Sequence, residues 1–418
     1  MMRSEPKSAS TLEPKLSSFY GTIVSGPDFW PRPDIVDPLV RSLSRGQSHT
    51  LFGLRRTGKS SIMAEVRARL EAQGVLVSQI NAEGGKGLQD VFGELLRNLP
   101  APDLKAKLLK RFDQVQNIAQ PVVSLVRSWI ATTPAATTVS ERDLLDYWPA
   151  VSAVLLEALK ADTRPIALFI DELPFLLQNT LTDKTGADRK QGLATAQQIL
   201  VTLREWRGLK HVAMLVAGSI GMRGLALRHG LDPGAFNDML PVSLPPLKRE
   251  EAARMVRALV AGYIPAPPGW TEEATGVLLD GLPDLYPGFI QLGFQAVADR
   301  GATTPEAIRH NLREHLEPQL HDQFFGQFDN RLRRENAEQR KHLTSAIDLV
   351  VDSADKGGLP LADFYQALAD RGCELPEEIA SILKEDGFLT FDHRTNTFRP
   401  ASAMVAAWRN STPRGARR

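Results

Sequence analysis

The sequence predicts an α/β domain built on a parallel sheet, followed by an all-helical region and a compact C-terminal unit of helices and a hairpin. Three observations carry this. Apolar runs at 48–52, 75–81, 165–170 and 211–217 are separated by helix-length segments, as strands joined by crossover helices require. From Lys248 to Pro318 no strand pattern is present, and helical segments are punctuated by clusters such as Pro265-Ala266-Pro267-Pro268-Gly269. Beyond Gln339, three helical stretches precede Phe388-Leu389-Thr390-Phe391, a turn, and Thr397-Phe398-Arg399.

Composition narrows the function classes. A chain of 418 residues with 43% hydrophobic and 24% charged residues reads as a globular protein of two or three domains. Lys+Arg 50 against Asp+Glu 49 leaves a net charge of +1, so no global field draws nucleic acid or an anionic membrane. The lone cysteine, Cys373, excludes an intramolecular disulfide and a cysteine metal cluster, and fits a reducing compartment. Residues 1–18 read as a disordered polar N-terminus without the apolar core of a signal peptide. No run approaches the ~18 apolar residues of a membrane helix, so a cytoplasmic location without a membrane partner is expected.

Taken in order, the first domain spans 19–247. Its aromatic entry, Phe29 and Trp30, can cover a base or pack the core, and a short helix follows at 34–43. After the strand at 48–52 comes Gly53-Leu54-Arg55-Arg56-Thr57-Gly58-Lys59-Ser60, a complete G-x-x-x-x-G-K-[ST] phosphate loop. Gly53 and Gly58 permit the curl, and backbone N–H groups through Arg56, Thr57, Gly58 and Ser61 cradle phosphates. Lys59 reaches the β- and γ-phosphates, while Ser60 offers its hydroxyl to Mg²⁺ at the start of a helix. The run 165–170 then ends in Asp171-Glu172. At the carboxyl end of a parallel strand, Asp171 can hold the Mg²⁺ water shell and Glu172 can polarise the attacking water. Hydrolysis of ATP, beyond binding, is therefore expected.

The remaining segments fill in around these motifs. A helical insertion at about 101–140 breaks near Pro121 and carries Lys105, Lys107, Lys110 and Arg111, which read as a solvated face or a nucleic-acid patch. Residues 131–140 have loop composition, and so does the polar stretch 180–193, ahead of a helix at 194–207. If the strand at 211–217 lies between the phosphate loop and the carboxylates, Ser219 can hydrogen-bond the attacking water or the γ-phosphate. Arg223 and Arg228 flank the next helix, and either can serve as a finger reaching a neighbouring subunit or merely solvate the surface. A further strand is expected at 238–244.

The helical region 248–318 has the character of a lid. Residues 319–410 read as a linker helix and a winged helix, and 411–418 as a basic tail. Winged helices often bind DNA, but the third helix carries Glu377, Glu378, Glu385 and Asp386 against Lys384, a face that repels phosphates. Arg394 and Arg399 on the hairpin argue the other way.

The order of phosphate loop, Asp171-Glu172, Gly218-Ser219, helical lid and winged helix resembles the AAA+ ATPases. Within them it is similar to the prokaryotic STAND-like and archaeal-type group related to the origin-recognition ATPases. The resemblance implies a P-loop NTPase fold, ATP and Mg²⁺ as ligands, Lys59 and Ser60 as phosphate and metal contacts, and Ser219 as the first sensor. Arg32 and Pro287 are placed by the same resemblance near the nucleotide, although Pro31 and Leu285 stand where the family carries glycine. It further implies a molecular switch acting on a protein partner; if a neighbour's arginine supplies the positive charge that hydrolysis needs, self-assembly through the Arg223 side follows, and otherwise the switch is a monomer. The alternatives are a DNA-binding ATPase of loader type and a small-molecule kinase.

Overall fold

The computed structural model describes residues 15–18, 20–134, 138–181, 186–232, 234–265, 267–333 and 335–411. The chain divides into two compact units. One comprises Arg32–Arg55, Lys59–Leu244 and Gln327–Arg418, and the other Met1–Pro31, Arg56–Gly58 and Pro245–Gly326.

The first unit is organised on a five-stranded sheet of β1 (His49–Phe52), β2 (Leu76–Asn81), β3 (Ile166–Asp171), β4 (Val212–Gly218) and β5 (Leu240–Pro241). The spatial order is β2-β3-β4-β1-β5 and every pairing is parallel. Its helices are α1 (Pro33–Leu43), α2 (Lys59–Ala72), α3 (Glu94–Asn98), α4 (Pro102–Phe112), α5 (Gln120–Ala131), α6 (Glu141–Lys160), α7 (Leu173–Leu181), α8 (Gly186–Arg207) and α9 (Met222–His229). A phosphate loop between β1 and α2 of a parallel sheet fits the P-loop NTPase type of α/β fold. Strands β3 and β4 are buried at every position, which is why their sequences are uninterrupted apolar runs and not alternating ones.

The insertion helices α4 and α5 bury Leu104, Leu108, Phe112, Val122, Val126 and Trp129 in the same core as the sheet. Deeper in, Phe92 stacks near Trp148 and Trp206 at 4.7 and 5.1 Å, and the buried indole of Trp148 donates to Thr202 at 2.9 Å. The helix break falls at 113–119 and not at Pro121. That proline sits in the first turn of α5, where a missing N–H leaves no bond unmade.

Two further expectations in this unit are corrected. The stretch 180–193 is not a loop: α7 runs to Leu181 and α8 starts at Gly186, with 182–185 outside the described residues. Strand 238–244 shrinks to Leu240–Pro241, an exposed edge bonded to β1 through the N–H groups of Leu240 and Val242, while Pro241 faces its missing donor to the open side.

The C-terminal part of this unit holds further helices and a small sheet. In the other unit, helices α10 (Arg249–Gly262), α11 (Glu272–Asp280), α12 (Pro287–Ala298) and α13 (Pro305–Asn311) are continued by a π-helical turn, α14 (Glu317–Leu320) and a second π-helical turn ending at Phe325. Phe289 and Phe324 meet edge to face at 5.2 Å in its core, and Leu16 N–H donates to the Ala258 carbonyl at 3.0 Å. The chain then returns to the first unit through α15 (Gly326–Arg333), α16 (Ala337–Val351), β6 (Leu359–Pro360), α17 (Leu361–Ala369), α18 (Pro376–Glu385), β7 (Leu389–Asp392), β8 (Thr397–Pro400) and α19 (Ala403–Ser411). The three strands form an antiparallel sheet in the order β6-β8-β7. Strand β6 and helix α19 add to the sequence expectation, whereas the basic tail 412–418 lies outside the described residues.

Candidate functional site

Parallel pairing brings the carboxyl ends of β1, β4 and β3 side by side, with β4 in the middle. That is the order under which Ser219 can reach both the phosphate loop and the carboxylates. The loop is tied to β4 by the Gly53 N–H, which donates to the Gly218 carbonyl at 3.2 Å. Gly53 (φ 149°) and Gly58 (φ 98°) take backbone angles open to glycine, and Arg56 is held at φ 66° between them. Non-glycine residues in that region cluster at functional sites, and Glu172 (φ 57°) is another. Gly218 has its own requirement, because a Cβ there would lie 2.7 Å from the Pro174 ring.

Lys59 opens α2 and is 6% exposed. Its ammonium donates to the carbonyls of Gly53 at 2.9 Å and Leu54 at 2.7 Å. Burial lowers its pKa to about 8; the nearby carboxylates of Glu172 and Asp171 oppose the drop, and the charges of Arg331 and Arg55 add to it. A phosphate oxyanion beside Lys59 would favour the ammonium form.

Ser60 donates its hydroxyl to Asp171 Oδ2 at 2.6 Å. Asp171 is 5% exposed, and its Oδ1 is buried with no hydrogen-bond partner among the described residues. A hydroxyl paired with a carboxylate that has a spare oxygen suits a hard divalent cation. No group of three or more His, Cys, Asp or Glu among the described residues forms a cage. The donor set therefore fits Mg²⁺, which keeps water and phosphate oxygens in its shell.

Glu172 Oε2 accepts from Ser219 twice, from the backbone N–H at 2.9 Å and from the hydroxyl at 3.1 Å. Ser219 is fully buried, so these bonds fix the carboxylate rather than solvate it. Thus Lys59, Ser60, Asp171, Glu172 and Ser219 are brought together.

The other expected residues lie as follows. Thr57 is buried and Ser61 is half-buried on α2. Arg32 is buried at the start of α1, 3.6 Å from Asp34. Pro287 opens α12, and the next residue, Gly288, packs so closely on the Arg56 carbonyl that a Cβ there would lie 2.6 Å from it. Arg56 lies over the Tyr20 ring at 5.2 Å. Phe29 is buried and Trp30 half-buried.

Arg228 is ion-paired with Glu335 in its own chain, and the two side chains are only 11% and 2% exposed. The Arg223 N–H donates to Glu385 Oε2 at 2.8 Å.

Sequence reasoning missed three features. Arg55, inside the loop itself, donates to the Ser219 hydroxyl at 3.3 Å and to Glu83 at 2.6 Å. Its place in the motif was the available signal. The acids at the end of α18 are the second: Asp386 accepts from the Gly221 N–H at 2.6 Å, and with Glu385 it caps the start of α9. The contact is close enough that a Cβ on Gly221 would fall 2.4 Å from that of Glu385. Burial raises the Glu385 pKa despite the Arg223 N–H. Third, Gly387 packs against Leu54, where a Cβ would lie 3.2 Å from the Leu54 nitrogen, and Arg331 donates to the Asp386 carbonyl at 2.6 Å.

No protein-family model matches the sequence, and no curated protein does. Solved structures with a similar course of chain include the Walker-type ATPase PABY2304 of Pyrococcus abyssi, at 16% identity and TM-score 0.49, covering 96% of this chain and 99% of that one. The ORC2 protein of Aeropyrum pernix, in ADPNP and ADP complexes, is 13% identical with TM-score 0.44, covering 90% of this chain and 92% of that one. The ORC1 protein of Aeropyrum pernix in complex with DNA is 15% identical with TM-score 0.38, covering 94% and 95%. At these identities and scores the likeness extends neither a family nor an activity to this chain.

Proposed function

We propose that the chain binds ATP with Mg²⁺, hydrolyses it slowly, and uses its nucleotide state to switch a protein partner. The observation that carries this reading is the pairing at the strand ends: Ser60 on Asp171, with an unpartnered buried carboxylate oxygen, beside Glu172 locked on Ser219. Lys59 contacts the β- and γ-phosphates, and Ser60 with Asp171 holds the cation. When bound, Mg²⁺ neutralises charge on the phosphates. Glu172 orients a water whose oxygen attacks the γ-phosphorus while the bond to the β–γ bridging oxygen breaks. The water's proton leaves through Glu172 to the released phosphate.

In this reading, which follows the AAA+ resemblance, residues 248–318 take the part of a lid and 337–400 that of a winged helix. A protein partner is preferred over DNA because the net charge is +1 and because α18 is packed on α9, where Ile382 sits 3.2 Å from the Cβ position of Gly224. On the hairpin, Arg399 is engaged with Asp392 at 3.5 Å and with the Gly357 carbonyl at 3.1 Å, which leaves the exposed Arg394 as the main cation there.

The test uses two variants. Lys59→Ala is expected to abolish nucleotide binding, whereas Glu172→Gln should bind ATP with near wild-type affinity and turn over at least about 100-fold more slowly. Wild-type turnover by Glu172→Gln would remove the assigned base. A phosphorylated metabolite formed without free phosphate would replace the ATPase by a kinase.

A further inference from the structure

Hydrolysis of a triphosphate calls for a positive charge beside the γ-phosphate as the bond breaks, in addition to the P-loop lysine. Arg228 is already opposite Glu335, in a pair almost closed to solvent. A different arginine, Arg55, touches a residue assigned to the water. Arg55 Nε lies 3.3 Å from the Ser219 hydroxyl, and the same hydroxyl donates to Glu172 Oε2 at 3.1 Å. One hydroxyl therefore spans the guanidinium and the carboxylate assigned to the attacking water. The residue before Arg55 supplies a carbonyl to Lys59. Arg55 thus stands between the lysine that grips the phosphates and the acid that orients the water.

We propose that Arg55 is the transition-state arginine of this ATPase, supplied in cis from the phosphate loop and stored on Glu83 until a triphosphate draws it away. This rests on the hydrolysis reading above and adds the residue that completes it. Its guanidinium is stored on Glu83 at 2.6 Å, with Phe175 beneath it at 5.2 Å. The Arg55 and Glu83 side chains are 35% and 48% exposed, so water already screens the pair and its loss costs little. A γ-phosphate, with more charge and a geometry suited to two parallel N–H bonds, competes well against one carboxylate oxygen. The planar fork can keep Ser219 through Nε while its terminal nitrogens turn to the phosphate. Burial does not block this movement. The effect of the Arg55 charge on Lys59 is consistent with both cations facing the same small space.

The experiment measures single-turnover hydrolysis and nucleotide affinity separately for Arg55→Ala, Arg55→Lys and Glu83→Gln, with Lys59→Ala as the reference. Arg55→Ala is expected to slow the chemical step by about 10³-fold while changing ATP affinity only a few-fold. It should also lose the ADP–aluminium fluoride complex that mimics the transition state, a loss that a folding defect with intact ATP binding would not produce. Arg55→Lys should recover little, because a point charge cannot replace the fork. Glu83→Gln should hydrolyse at or above the wild-type rate, since only the storage partner is weakened.

Rescue by mixing tells cis from trans. Arg55→Ala mixed with Lys59→Ala should stay inactive at every protein concentration. Hydrolysis by Arg55→Ala within about twofold of wild type, or rescue by the Lys59→Ala chain, would overturn the assignment while leaving the ATPase reading intact. Undiminished ATP binding by Lys59→Ala would instead remove the site, and Arg55's role with it.

Discussion

Two adjacent acidic pairs sit in the same unit and do different work. Asp171-Glu172 ends β3 and meets the hydroxyls of Ser60 and Ser219 as well as the Ser219 backbone N–H, leaving Asp171 Oδ1 without a partner among the described residues. Glu385-Asp386 ends α18 and meets the backbone N–H groups of Arg223 and Gly221, filling donors that the start of α9 would otherwise leave open. The difference teaches how to read a carboxylate. A pair that closes on the open donors of a helix start stabilises packing, and a pair that keeps a buried oxygen unpaired is prepared for something the chain does not itself provide.

The sharpest way to break this contrast is to neutralise one acid of each kind. Asp171→Asn should cut Mg²⁺-dependent turnover by at least about 100-fold, yet leave the ligand-free protein about as stable as wild type, because the amide keeps an oxygen for the Ser60 hydroxyl and the carboxylate's other oxygen has no partner to lose. Asp386→Ala should do the reverse. It strands the Gly221 N–H and should cost about 1–3 kcal/mol of stability, read from denaturant unfolding, with Mg²⁺ affinity unchanged. If Asp171→Asn melts early and Asp386→Ala loses only activity, the two roles have been assigned the wrong way round.

The smallest expected effect concerns Glu385. Its pKa is raised above its ordinary 4.5 by burial, so the folded chain holds that proton to higher pH than the unfolded chain does. The stability contribution is complete below about 4.5 and is lost as pH rises through the folded value. Glu385→Gln keeps an acceptor for the Arg223 N–H and cannot ionise. Its unfolding free energy should therefore gain on wild type from pH 4.5 upward and then level off. A constant difference across that range would mean that Glu385 is not titrating in its buried position.

Much of the first pair was legible in the sequence. A phosphate loop has fixed spacing, and a buried parallel strand ending in two acids announces itself by composition, so Lys59, Ser60, Asp171 and Glu172 were located from local pattern alone. The capping role of the second pair went unread because its partners are 162 and 165 residues away in the chain. Nothing near Glu385 marks a helix start at Met222. The first turns of α8 were missed for a different reason: residues 186–190 are exposed, so they show no apolar stripe, and the helix is set by its packed later half, through Ile199, Leu203 and Trp206. Strand β5 failed the other way: the run pairs with β1 only through Leu240 and Val242 N–H, and both residues of the strand are exposed at the sheet edge.

The strand order has a consequence for synthesis. β1, which leads into the phosphate loop, pairs among the described residues only with β4 and β5, and its first contact in β4 is His49 with Leu215. A ribosome must therefore deliver the whole of the α4–α8 region before β1 has a ladder to join. Chains emerge at about 5–20 residues per second, so the loop waits roughly 8–30 seconds before its neighbouring strand exists. During that interval the nascent chain offers unpaired apolar strands and no place for a phosphate. Nucleotide can influence folding only after β4 is out, as a late clamp on an assembled sheet and not as a seed for it.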